Sequence, residues 1–166
     1  MKKTVSAVVG VLLFIAGFTV AATPRHELVY NAHMLPPVCG ESGCVGAYFA
    51  QVGSTGSEPE HGVRVELKLE HTQDPGLPIQ VRNAGKSPVP FTERAEDGGR
   101  TIEIGTIAAG EWREISFQRL YRPDQPPIPA NEMVIAAASD AAQGKWGSPQ
   151  GTRFIRAMTN IASLVY

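Results

Sequence analysis

VRVELKLE, residues 63–70, alternates apolar and charged side chains without a break. In an extended strand successive side chains point to opposite faces. Val63, Val65, Leu67 and Leu69 therefore share one face, and Arg64, Glu66, Lys68 and Glu70 share the other. A helical period would not separate them this cleanly. The stretch predicts a strand with one dry and one wet face, and a slip of one residue would exchange the two.

The flanking chain repeats the pattern. In residues 27–35, ELVYNAHML, Leu28, Tyr30, Ala32 and Met34 fall on one face and Val29, Asn31 and His33 on the other. Pro36 and Pro37 end that strand. A second strand is expected over 45–52, and the loop GSTGSEPEHG follows at 53–62. A short strand is expected at 79–82, then a loop over 83–90. TIEIGTI (101–107) and WREISFQR (112–119) alternate again, with Ile115, Phe117 and Trp112 read as core, and AAGE (108–111) between them. Strand, short turn, strand is a hairpin pattern. RPDQPPIP (122–129) reads as an extended crossover, and 133–138 as a last strand. Seventeen Gly and thirteen Pro supply many turns. About seven short strands with frequent turns predict an all-β antiparallel sandwich of the Ig-like kind over 25–140.

The ends differ. Lys2 and Lys3 precede an uncharged run over 5–22, which closes on Val20, Ala21 and Ala22. This is an export signal. Cleavage after Ala22 is favoured over a retained signal anchor helix. An intact helix of this run would reach about 27 Å, against the ~30 Å of a bilayer core. Both readings put the rest of the chain outside the cytoplasm, periplasmic or extracellular, with a membrane contact only through residues 5–22 of the uncleaved form. Cleavage would move the formal charge from −1 to −3, too little to argue for nucleic acid. The extension 141–166 turns helical, with Phe154, Met158, Ile161 and Val165 on one stripe, and Ser148 with Pro149 as cap and first turn. That stripe either packs on the sandwich or docks a partner or membrane.

The only cysteines, Cys39 and Cys44 in CGESGC, are expected to form a disulfide outside the cytosol. Gly40 and Gly43 let so small a loop turn.

AYFAQVGSTGSEPEHGVRVELKLE (47–70) and GGRTIEIGTIAAGEWREISF (98–117) together resemble the bacterial Ig-like modules related to the cell-adhesion-related domain. Those modules commonly show a V-x-N-T-G turn; here the turn is Val52-Gly53-Ser54-Thr55-Gly56, with Gly53-Ser54 where the family often has a residue and Asn. They also show I-G-x-L-x-x-G-E, matched by residues 104–111. The resemblance covers residues 45–120 and implies a noncatalytic scaffold or binding module of the envelope. It carries no catalytic residue across, and a shared fold does not by itself supply function.

No catalytic set stands out. GESG (40–43) echoes the surroundings of a protease serine, but His26, His33, His61 and His71 sit in no accompanying signature. Glu58, Glu60, Glu96 and Asp97 read as solvated loop carboxylates. A copper site using His33, Met34, Cys39 and Cys44 is the alternative function, supported only by ligand softness. No cofactor is called for. The expected function is a non-enzymatic module that binds or scaffolds an envelope protein or surface component. Contacts are expected through sheet edges, the 53–62 loop, Trp146, and Phe154, Met158, Ile161 and Val165.

Overall fold

The computed structural model describes residues 24–69, 72–73, 77–84, 86–96 and 98–151. The export run, His71, Asp97 and the stripe of Phe154, Met158, Ile161 and Val165 lie outside the described residues. Among the described residues there are eleven strands, where about seven are expected from the sequence: β1 (Leu28–Met34), β2 (Val38–Gly40), β3 (Gly43–Ser54), β4 (Glu60–Lys68), β5 (Gln80–Asn83), β6 (Ser87–Pro88), β7 (Thr92–Glu96), β8 (Gly99–Ile107), β9 (Trp112–Tyr121), β10 (Val134–Ala138) and β11 (Lys145–Trp146). One helical turn, α1 (Ala130–Met133), precedes β10. The larger sheet runs β11-β1-β3-β9-β5-β6, with β2 also on β3, and the smaller runs β10-β4-β8-β7. The β-sandwich is therefore present. Its strand order departs from the Ig pattern. Setting aside the strands of two or three residues, the second strand here pairs with the seventh, where an Ig sandwich pairs second with fifth.

The alternation read from the sequence places the core. Val63, Val65 and Leu67 of β4 are buried against Ile102 and Ile104 of β8. Tyr48, Ala50 and Val52 of β3, with Ile115 and Phe117 of β9, cover them from the larger sheet. Trp112 is only partly buried, because it faces outward from β9 while its neighbour Arg113 turns in.

Two expectations fail. Residues 108–111 do not close a hairpin. β8 belongs to the smaller sheet and β9 to the larger, so this segment crosses between them. It is hooked onto the end of β3: Gly110 N–H donates to the Ser54 carbonyl at 2.9 Å, and Ser54 N–H to the Glu111 carbonyl at 3.1 Å. Glu60 is not a solvated carboxylate; it is fully buried. Strict alternation would place it outward with Arg64 and Glu66. Glu60 pairs with Ile107 and Val63 with Gly105, so β4 carries an extra residue at this point. That bulge turns Glu60 inward. Its Oε1 accepts the Glu27 N–H at 2.7 Å, and its Oε2 accepts the Ser139 hydroxyl at 2.5 Å. His26 Nδ1 lies 3.6 Å away.

A second buried polar pair sits on the inner face of the larger sheet. The Tyr48 and Tyr121 hydroxyls hydrogen-bond one another, and Tyr48 donates to the Ile128 carbonyl at 2.7 Å. Burial pushes the phenol of Tyr48 well above its ordinary range, and the Tyr121 hydrogen bond adds to this. Burial raises Tyr121 as well.

Two outcomes follow from these pairs. Glu60→Ala removes the acceptor of the Glu27 amide and of the buried Ser139 hydroxyl, and is expected to cost about 3 kcal/mol in urea unfolding. A loss below about 0.5 kcal/mol contradicts its anchoring role. The unfolded chain loses its phenolic protons near pH 10, while the folded chain retains those of Tyr48 and Tyr121. Stability conferred by the pair is thus complete below about pH 10 and declines as pH rises beyond it. A urea midpoint that stays flat across that range contradicts the burial of both phenols.

Candidate functional site

The outer face of the larger sheet follows from the same alternation. β3 pairs with β1 and β9 without a register shift, so Tyr48, Ala50 and Val52 inward means Val45, Ala47, Phe49, Gln51 and Gly53 outward. Cross-strand register then builds rows. One row is Asn31, Gln51, Glu114 and Arg82; the next is His33, Phe49, Ser116 and Gln80. His33 stacks on Phe49 with ring centroids 5.2 Å apart. Beyond it Leu35 N–H donates to the Ala47 carbonyl at 3.0 Å, which extends the pairing, and Ala47 lies opposite Gln118. The last row is Val38, Val45 and Leu120.

The face therefore has two halves. Its upper half, around Gln51, Glu114 and Arg82, is polar and charged. Its lower half carries Leu35, Val38, Val45, Ala47, Phe49 and Leu120 without a charge. Val38 is 75% exposed and Leu35 49%. Leu77, 52% exposed, adds a side wall. A shallow hollow of about 220 Å³ lies between Phe49, Leu77, Pro78 and Gln118. The outer face of the smaller sheet is the opposite in character. There Arg64, Glu66 and Lys68 point out of β4, and Arg94 pairs with Glu103 at 2.8 Å. Such exposed pairs contribute little to stability and keep that face wet.

Cys39 and Cys44 are bonded to each other as directly opposed residues of the β2–β3 hairpin. Gly43 takes φ +128°, and a Cβ there would run into the Tyr121 carbonyl. The disulfide fastens the hairpin that presents Val38. The copper reading finds no support: the two sulfurs are bonded to each other, and His33 and Met34 point to opposite faces of β1. Among the described residues no group of three His, Cys, Asp or Glu side chains could hold a metal.

The remaining candidates scatter. Ser42 is exposed at the hairpin tip. His61 Nδ1 lies 3.0 Å from the Thr106 hydroxyl, and His26 faces Glu60. The 53–62 loop is internal only in part: Gly53, Ser54, Thr55 and Glu60 are buried while Ser57, His61 and Gly62 are exposed, and Thr55 N–H donates to the Glu27 carbonyl at 2.9 Å. Trp146 is 51% exposed as expected, but on β11, edge-on to Tyr30 at 5.4 Å. β11 lies within the expected C-terminal extension and joins the larger sheet through β1. Gly151 N–H donates to Ser148 Oγ at 3.2 Å, the capping bond expected there. Pro149 packs over Gly53 beside Trp112, at the upper end of the outer face.

No family model matches the chain. No curated protein matches it. Among solved structures it is similar to an exo-β-N-acetylglucosaminidase of Vibrio harveyi (11% identity, 73% of this chain and 18% of that chain, TM-score 0.43). It is also similar to the carbohydrate-binding module CBM3b of cellobiohydrolase 9A from Clostridium thermocellum (13% identity, 74% of this chain and 99% of that chain, TM-score 0.41). A third is a biomass-sensing module of a putative Rsgi2 protein of the same organism (10% identity, 77% and 100%, TM-score 0.42). This chain thus spans under a fifth of the glycosidase. At these values the functional reading rests on this chain's own residues.

Removing the disulfide by Cys39→Ala with Cys44→Ala is expected to cost about 2 kcal/mol, since so small a loop restrains little of the unfolded chain. Thermal unfolding of the double variant measures it, and a loss above about 5 kcal/mol contradicts a local fastening role.

Proposed function

We propose that this chain is a non-enzymatic module that works outside the cytoplasm and docks a protein of the cell envelope through the lower half of the larger sheet's outer face. The observation that carries this reading is the contrast between the two outer faces. The smaller sheet shows paired charges, as a solvated sheet does. The larger shows contiguous, uncharged Leu35, Val38, Val45, Ala47, Phe49 and Leu120. Monomers seldom leave such a patch open without a binding role. Charge depletion at the centre with an aromatic residue inside it is the composition of an interface core. The polar row of Gln51, Glu114 and Arg82 would form the rim.

The disulfide and the leading lysine-plus-apolar run both support export. Whether residues 1–22 leave the mature chain decides between a free and a tethered form. In either form the sandwich faces the same compartment.

Site-specific photocrosslinking in cells tests the reading. A photoreactive residue at Val38 or at Leu77 is expected to capture one and the same envelope protein, while one at Lys68, exposed on the charged sheet, captures none. Adducts that are equal at all three sites, absent from both patch sites, or made only with a second copy of this chain overturn it.

A further inference from the structure

β2 contributes nothing to the core. Val38, Cys39 and Gly40 are all exposed. A Cβ at Gly40 would meet no atom within 4 Å. The strand lies against β3 through three pairs, Val38 with Val45, Cys39 with Cys44 and Gly40 with Gly43. Pro36 and Pro37 lead into it without a main-chain N–H to give. A strand this short, with no buried side chain, has little hold of its own. The disulfide is its main fastening.

The two cysteines are unequal. Cys44 is half-buried, packs on the core and sits on β3 opposite Tyr121 of β9. Cys39 is exposed, on the unpacked strand. An incoming thiolate therefore has access to Cys39 Sγ. Once the bond is broken, only the ladder pairs keep the two thiols together, so the fold does little to drive the bond to re-form. Exposed disulfides are the labile ones. Opening this one leaves the sandwich intact, since residues 38–40 bury nothing.

We infer that Cys39–Cys44 is a thiol-exchange site, opened by a dithiol outside the cytoplasm, and that opening it switches the docking face off. A thiolate of the dithiol attacks Cys39 Sγ. The S–S bond breaks, and its electron pair leaves on Cys44 Sγ, which takes a proton from water. The second thiolate of the dithiol then attacks its own sulfur in the mixed disulfide and releases Cys39, which is protonated in turn. The chain gains two electrons and two protons, and the dithiol becomes a disulfide. Freed β2 carries Val38, 75% exposed, out of its row with Val45 and Leu120. The exchange stands by itself; the switching rests on the docking role proposed above.

Dithiothreitol at about 1 mM, added to the ¹⁵N-labelled full chain without denaturant, tests the exchange. Alkylation with mass spectrometry is expected to find both thiols free within about an hour. Amide NMR shifts are expected to stay within residues 35–47. Glutathione in place of the dithiol is expected to leave its mixed disulfide on Cys39, not on Cys44. A bond that resists dithiothreitol until the chain is unfolded, or whose reduction shifts amides throughout both sheets, overturns the exchange site. So does a mixed disulfide found on Cys44. Crosslinking from a photoreactive residue at Leu77 tests the switching. Cys39→Ser with Cys44→Ser, checked as folded by NMR, is expected to lower the adduct at least about fivefold. An unchanged adduct overturns the switching alone. A chain with its disulfide intact that gives no adduct overturns the docking role and the switching with it, and the exchange is still read from the thiols.

Discussion

Uninterrupted alternation along β3 is the constraint on which the rest depends. Residues 48–54 of it pair with β1 and residues 44–53 with β9, with no bulge in either ladder. Every side chain on it is therefore committed to one face. Tyr48 inward requires Phe49 outward, and the core and the candidate docking face are two readings of one strand. A slip of β3 by a single residue would bury Phe49 and Gln51 and expose Tyr48 and Val52.

Where the alternation is broken, the break has a use. The bulge at the start of β4 brings Glu60 inward, and this one carboxylate then joins the approach to β1 with the residue that follows β10. The Tyr48–Tyr121 pair does the same for the loop before α1, through Ile128. Buried polar groups cost free energy unless every one is satisfied. Each of these networks therefore specifies how its loop must close, beyond what it adds to stability.

Long strands were legible in the sequence because a period of two needs several residues to show. Residues 63–68, 28–34 and 112–119 lie in strands as read, and the faces assigned to Leu28 through Met34 are those observed. β2, β6 and β11, of two or three residues, carry no period; their pairing comes from neighbours. The passage from β8 to β9 between sheets is tertiary, since a four-residue turn reads alike in a hairpin and in a crossing. Glu60 escaped because a bulge is invisible to strict alternation. The disulfide was readable from the close spacing of Cys39 and Cys44 together with the expected export. The docking face was not, because Leu35, Val38, Val45 and Leu120 come together only through register. The brace at the opposite end was hidden for the same reason: Asn83 and Glu111 meet through Arg113, which looks in sequence like one more charge on an amphipathic strand.

The two sheets divide the labour. The smaller keeps a charged, wet outer face, and the larger carries an uncharged lower half stiffened by a disulfide at that end. Hydroxyl-radical footprinting of the protein in the intact envelope and after purification measures most directly whether that face is covered at work. Leu35, Val38 and Leu77 are expected to be shielded in the envelope and oxidised freely in the purified chain, while Ile135 on the β10 edge reacts alike in both. Equal oxidation of Val38 and Leu77 in the two states would contradict the account.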